Sequence, residues 1–252
     1  AFLNNEHEGS RVVYQPDQLQ LVDSLRRQMR TIEDDLRHHH PDWEQRIARW
    51  EDTVRHAADG WLNIETRNAG DNGERFEHFP DGSILAGGYA PTQWTAHFRG
   101  TNTSLARIGA FRLEQLPHPD LPSGGPGRSI RGMAALSEFK VEVQSLAHPT
   151  NRFTVKFVRA EADFSNAEKP LESEFDNRSG KKRTYGPIAH AIDGNGDTAW
   201  GIDAGPGRRN TARQAIFIPE KPVEVAGGVI LNFLLQQNHG GWNSDDNQNH
   251  NL

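Results

Sequence analysis

The segment Ala189–Trp200, AHAIDGNGDTAW, sets Asp193, Asn195 and Thr198 close together and interleaves them with Gly194 and Gly196. Carboxylate, carbonyl and hydroxyl oxygens are the ligands that calcium takes, about six to eight of them at roughly 2.3–2.6 Å. The two glycines let the backbone fold back so that peptide carbonyls can join the set. The same residues also make a tight turn in which Asp193 caps backbone amides, and both readings stay open at this point. An EF-hand is excluded, because the glutamate required at the last loop position would fall at Ala204. One carboxylate carries too little charge for the ion. Asp197 offers a further carboxylate, unless its place next to Thr198 turns it away.

Other chemistry is weaker. His38, His39 and His40 are consecutive, and consecutive side chains at a helix end point in different directions, so they are not expected to share a metal. No carboxylate pair is marked out for glycoside hydrolysis, and no G-x-S-x-G nucleophile elbow occurs. The run GPGR at 125–128 reads as an anion-binding loop clamped by Arg128 or as a rigid surface turn. Exposed aromatics stack on sugar rings while polar neighbours read the hydroxyls. Tyr89, Trp94 and Trp242 lie in or near loops, Trp242 within the amide-rich run NHGGWNSDDNQNH, and with Arg128 they form the candidate glycan-binding set. Trp200 follows the turn and is expected in the core.

These residues need elements to hold them. From Pro16 to His40 the apolar residues Val22, Leu25, Met29, Ile32 and Leu36 recur at steps of three and four, one stripe of an amphipathic helix in a heptad rhythm. Trp43, Ile47, Trp50, Val54 and Ala57 repeat the pattern after Pro41, and Gly60 supplies a stop. The spacing predicts an antiparallel helical hairpin over 14–59 whose stripes bury on each other or on the next domain. Beyond Gly60 short β-branched or alternating segments are separated by Gly, Pro, Asn and Asp, which predicts a β-sandwich or jelly roll over 60–252. Phe139, Val141 and Val143 alternate with Lys140, Glu142 and Gln144, the pattern of a half-buried strand. Residues 117–132 and 167–188 are long loops; within the second, SGKKRTYG reads as a solvated turn.

The chain has 252 residues, a net charge of −6 and 35% hydrophobic residues. With a mean hydropathy of −0.77 the core must be thin or two-layered. An acidic balance implies no counterion-releasing basic face, so nucleic acid and anionic membranes are not the expected partners. The absence of cysteine excludes disulfides, zinc–thiolate sites, cysteine nucleophiles and c-type haem attachment within this sequence. No apolar run approaches the roughly 18 residues of a membrane span. AFLNNEHEGS lacks the basic and apolar regions of a signal peptide, and residues 1–13 are expected to be the tail of a preceding domain.

Two resemblances sharpen the expectation. The blocks LEQLPHPDLPSGGPGRSIRGMAALSEFKVEV and AEADFSNAEKP…AHAIDGNGDTAWGID, with the opening FLNNEHEG and the closing NQNHNL, resemble the interior of planctomycete multidomain proteins. In those proteins this region lies between two uncharacterised domains associated with planctomycete cytochrome c domains. The chain departs from that pattern at SIRGMAAL, and the pattern would continue past Leu252 with one further strand. Separately, Ala191, Asp193, Gly194, Thr198 and Trp200, together with Ser137, Glu138 and Phe139, resemble two blocks of discoidin-like and family-32-like carbohydrate-binding modules. In such modules the glutamate strand comes last, whereas here it precedes the Asp-Gly block, as in a circular permutation. This resemblance implies that Glu138 joins Asp193, Asn195 and Thr198 around a structural calcium ion with no open catalytic position.

The expected architecture is therefore a helical hairpin followed by a galactose-binding-like jelly-roll sandwich. The expected role is non-catalytic: binding a polysaccharide or glycan, or docking neighbouring domains, within a larger extracytoplasmic protein. The alternatives are a structural interdomain or protein-interaction module and an accessory domain of an enzyme completed by its neighbours.

Overall fold

The computed structural model describes residues 15–56, 60–69, 74–105, 107–175, 178–225 and 227–240. The expected tail at 1–13, together with Ala57 and Trp242, lies outside the described residues. The chain divides into a helical unit, Arg11–Asn63, and a β unit that contains everything from Ile64 onward. Among the described residues no helix is long and apolar enough to cross a membrane.

In the helical unit, α1 spans Pro16–His39 and α2 spans Trp43–His56. Pro16 opens α1 because its missing N–H is not needed there, and the Gln18 side chain accepts from the Gln15 N–H at 2.9 Å. Arg37 lies in the last turn, where a cation suits the helix dipole. The histidine rings are engaged locally: Nδ1 of His38 and His39 contact the Asp34 and Asp35 carbonyls at 2.7 and 2.8 Å, and His40 Nδ1 faces Arg46 at 3.3 Å. The predicted stripes correct one expectation. Leu25, Met29, Ile32, Leu36, Ile47 and Trp50 are 45–66% exposed, so the stripes of α1 and α2 are not buried on each other. Periodicity fixes which residues share a face, but not what covers it.

Among the described residues, strand pairing in the β unit is antiparallel except between Thr184–Gly186 and Thr198–Gly201. The largest sheet runs in the order Thr66–Asn68, Trp94–Asn102, Val229–Gln237, Glu138–Ser145, Arg152–Thr154. A three-stranded sheet runs Phe157–Ala162, Arg213–Pro219, Phe111–Gln115. The inner faces of these two sheets share one apolar cluster. Phe139 from the first stacks on Phe217 from the second with ring centroids 4.2 Å apart, and Phe111 meets Phe233 edge-on at 6.2 Å. The alternation at 139–143 is as predicted, with Phe139, Val141 and Val143 buried and Lys140 and Glu142 exposed. Gln144 departs from it: it is buried, and its amide donates to the Pro149 carbonyl at 3.1 Å, because the following loop folds over it.

The two long loops carry structure of their own. Residues 117–132 include a 3-10 turn at Pro122–Gly124 and close packing in which a Cβ on Gly127 would lie 2.1 Å from the Met133 backbone. Residues 167–188 contribute two strands to a four-stranded sheet ordered Lys169–Pro170, Thr184–Gly186, Thr198–Gly201, Ala135–Leu136. Arg183, expected in a solvated basic turn, is 4% exposed and donates to the carbonyls of Phe175, Asn238 and Gly240. A buried guanidinium can hold several backbone acceptors at once, which a charge run in the sequence does not disclose.

Candidate functional site

The four-stranded sheet explains why two distant acidic segments meet. Thr184–Gly186 and Thr198–Gly201 run parallel, so the chain between them must cross over. The crossover is a 3-10 helix, Ile188–Ile192, followed by the turn at Asp193. On its other edge Thr198–Gly201 pairs antiparallel with Ala135–Leu136, Leu136 opposite Trp200. The chain then changes sheets at Ser137, whose N–H donates to Gln236 O at 2.8 Å, and Glu138 enters the large sheet opposite Gln236. This change of sheet brings the Glu138 carboxyl beside Asp193 and the Gly194 N–H. Trp200, fully buried, anchors the junction from below, its indole N–H donating to Phe164 O at 3.0 Å.

The turn itself is tightly bonded. Asp193 Oδ1 accepts from the Asn195 N–H at 2.8 Å, and Oδ2 accepts from the Thr198 hydroxyl at 2.7 Å and faces His190 Nδ1 at 3.3 Å. The Asn195 peptide oxygen lies 2.8 Å from the same Thr198 hydroxyl, and the Asn195 side chain accepts from the Asp197 N–H at 3.1 Å. Gly194 takes a φ of +78°, which a residue with a Cβ adopts only at a cost. Asp197 points to Lys181, 3.8 Å away, as its neighbour Thr198 turns inward.

Glu138 is the unusual member. It is 3% exposed, and its Oε1 has no hydrogen-bond partner. Burial pushes its carboxyl above the ordinary range. The neighbouring Asp193 carboxylate adds to the effect, while Lys140 and the Gly194 N–H oppose it. A buried carboxylate beside a second carboxylate needs a proton or a cation. Among the described residues no three His, Cys, Asp or Glu side chains gather as a metal cluster. A cation at this point would therefore be held by two carboxylates, Glu138 and Asp193, with the balance from neutral oxygens such as the Asn195 carbonyl and the Thr198 hydroxyl. Such a donor set fits calcium, which accepts carbonyl and hydroxyl ligands readily.

Sequence reasoning missed two residues that brace the junction. His239, 1% exposed, places Nε2 2.8 Å from Thr184 O and Nδ1 3.3 Å from Ser137 Oγ. Burial, aided by the nearby Arg183, lowers its pKa to about 4 and keeps the ring neutral. Asn238 donates to Gly196 O at 3.1 Å, and a Cβ at Gly196 would lie 2.7 Å from its amide nitrogen. Both follow the last long strand within a polar run, and nothing in their spacing marks them.

The candidate glycan-binding residues are dispersed in role. Trp94 is 9% exposed and belongs to the core, not to a surface platform. Arg128 is 7% exposed and its guanidinium donates to the carbonyls of Gly88 and Tyr89. It fastens a loop, so the anion-clamp reading of GPGR gives way to a packed turn. Tyr89 is 44% exposed, and Trp242 lies outside the described residues.

The outer face of the five-stranded sheet carries a groove of about 300 Å³ that the candidate set did not include. Asn232 and Leu234 line it from the central strand, with His97 and Arg99 on one side and Glu142 and Arg152 on the other. Among the described residues, no hydrogen bond or ion pair engages the side chains of His97, Arg99, Glu142 or Asn232. The signal was present in the outward positions of HFRG, KVEV and LNFL, but only the register brings them side by side.

No protein-family model matches this chain, and no curated protein or solved structure matches it at a significant level.

Proposed function

We propose that the β unit is a galactose-binding-like jelly-roll module that binds carbohydrate without catalysis and is stabilised by one structural calcium ion. The observation that carries this reading is the meeting of Glu138 with the Asp193 turn. These are the two blocks that resemble carbohydrate-binding modules, and they come together despite their reversed order in the chain. The ion would supply positive charge between two carboxylates and tie the sheet change at Ser137 to the crossover turn. It would hold structure and activate no water. The resemblance to the interior of planctomycete multidomain proteins supplies the setting: a segment of an extracytoplasmic chain, with neighbouring domains of the same polypeptide as further partners.

A glycan array probed with the whole chain, with calcium and with chelator, tests the reading. Retention of at least one glycan, weakened by chelator, is expected. No retention of any glycan under either condition overturns the carbohydrate role.

A second reading has its own support. The apolar stripe Leu25, Met29, Ile32 and Leu36 is exposed in a heptad rhythm, which suits a segment that docks a neighbouring domain or protein. On that reading the chain is an interaction module, and the array stays blank while the stripe is protected in the full-length protein.

A further inference from the structure

The groove on the five-stranded sheet has a chemical character that the chain as a whole lacks. The protein carries a net charge of −6, yet two guanidiniums, Arg99 and Arg152, frame this one groove. Register fixes their separation. Arg99 lies opposite Asn232, Asn232 opposite Glu142, and Arg152 one strand further, opposite Gln144. At about 4.8 Å per strand, the two side chains start from strands roughly 14 Å apart, with Asn232 and Leu234 between them. Arg152 donates through Nε to Pro149 O at 3.2 Å, which holds its stem. Arg99 has no partner among the described residues.

We propose that this groove binds an acidic sugar, a uronate unit of a polysaccharide, with its carboxylate on Arg99. The inference rests on the carbohydrate-binding reading above and names both the site and the class of sugar. The planar fork of a guanidinium matches a carboxylate in a bidentate pair. Asn232 offers both donors and an acceptor to ring hydroxyls, and Glu142 accepts from hydroxyls alone. Leu234 gives the apolar face of a pyranose a surface to lie on. A neutral sugar would cover the Arg99 charge and give it no counter-charge, which is unfavourable. The groove volume is at the small end of ligand pockets, suited to one or two sugar units and not to a long embedded chain.

The test uses the whole chain and isothermal titration calorimetry with three probes: a galacturonate tetramer, an alginate tetramer and a neutral galactose tetramer. At least one acidic tetramer is expected to bind tenfold or more tightly than the neutral one, and to weaken as salt rises from about 50 to 500 mM, because the pairing is exposed to screening. Arg99→Gln is expected to lower that affinity at least tenfold with the melting temperature unchanged, since the side chain is exposed and bonded to nothing. Asn232→Ala is expected to weaken acidic and neutral sugars alike. Acidic binding that ignores Arg99→Gln assigns the site elsewhere and overturns the inference. Binding of the neutral tetramer alone also overturns it, and leaves the carbohydrate role standing. Silence with all three tetramers overturns it too, and the glycan array then decides separately whether any carbohydrate role survives.

Discussion

The Glu138 carboxyl is buried beside the Asp193 carboxylate, although 55 positions separate them in the chain. Their meeting follows from topology: a strand that changes sheets at Ser137 runs antiparallel to a strand that leaves a crossover turn. A buried carboxylate beside a second, more exposed one opposes folding unless something neutralises it, so Glu138 is poised to respond to protons and to cations.

Glu138→Gln should behave oppositely with and without calcium. In chelator the variant should melt at or above the wild-type temperature, since it removes a carboxyl that burial pushes toward protonation. In calcium the wild type should gain about 2.7 kcal/mol when the ion stands at a hundred times its dissociation constant, and the variant should gain nothing. Differential scanning calorimetry in both buffers reads the difference.

The acid dependence has two parts of opposite sign. His239 is neutral in the folded protein with a pKa near 4, against 6.5 in the ordinary state. The unfolded chain therefore binds the proton first. The stability His239 contributes is complete above about pH 6.5 and falls by roughly 1.4 kcal/mol per pH unit as pH drops toward 4. Glu138 acts the other way. Its folded pKa is raised above 4.5, so in chelator stability rises as pH falls from the folded value to the ordinary one. Replacing His239 with Asn should flatten the acid loss between pH 6.5 and 4, and denaturant titrations across that window measure it.

Gly127 and Gly109 make a contrasting pair. A Cβ at Gly127 would lie 2.1 Å from the Met133 carbonyl carbon, a backbone atom that cannot step aside, whereas a Cβ at Gly109 meets nothing within 4 Å. Gly127→Ala should destabilise by about 3 kcal/mol or more, and Gly109→Ala by less than about 0.5 kcal/mol. Arg128→Met, which strands the Gly88 and Tyr89 carbonyls, should cost about 2–4 kcal/mol and leave glycan affinity untouched. Urea melts of the three variants give the ranking.

Ile32→Glu replaces a 66% exposed side chain in the helical unit. It should change the unfolding free energy of the chain by no more than about 0.5 kcal/mol. A larger loss would show that the stripe is already covered in solution, a result that chemical denaturation detects directly.

What could be read from the residues divides by range. Val22 to Leu36 announced a helix because helical period is a local property, and Phe139–Val143 announced a strand for the same reason. The partners of those faces were not legible. The stripe at Leu25 and Ile32 stands exposed, while Gln144, outward by alternation, is covered by its own loop. Arg128 and Arg183 looked like surface charge because a run of polar residues carries no record of which carbonyls fold around it. The approach of Glu138 to Asp193 came from the resemblance of two short blocks and not from spacing, since it depends on the sheet change at Ser137. The groove at Arg99, Asn232 and Glu142 needed the cross-strand register, which no single segment contains.

Calcium titration of the whole chain by isothermal calorimetry, wild type beside Glu138→Gln and Asp193→Asn, tests the shared-cation claim most directly. One bound ion per chain is predicted for the wild type and none for either variant. No heat of binding in the wild type, or the same single site in all three proteins, would contradict it.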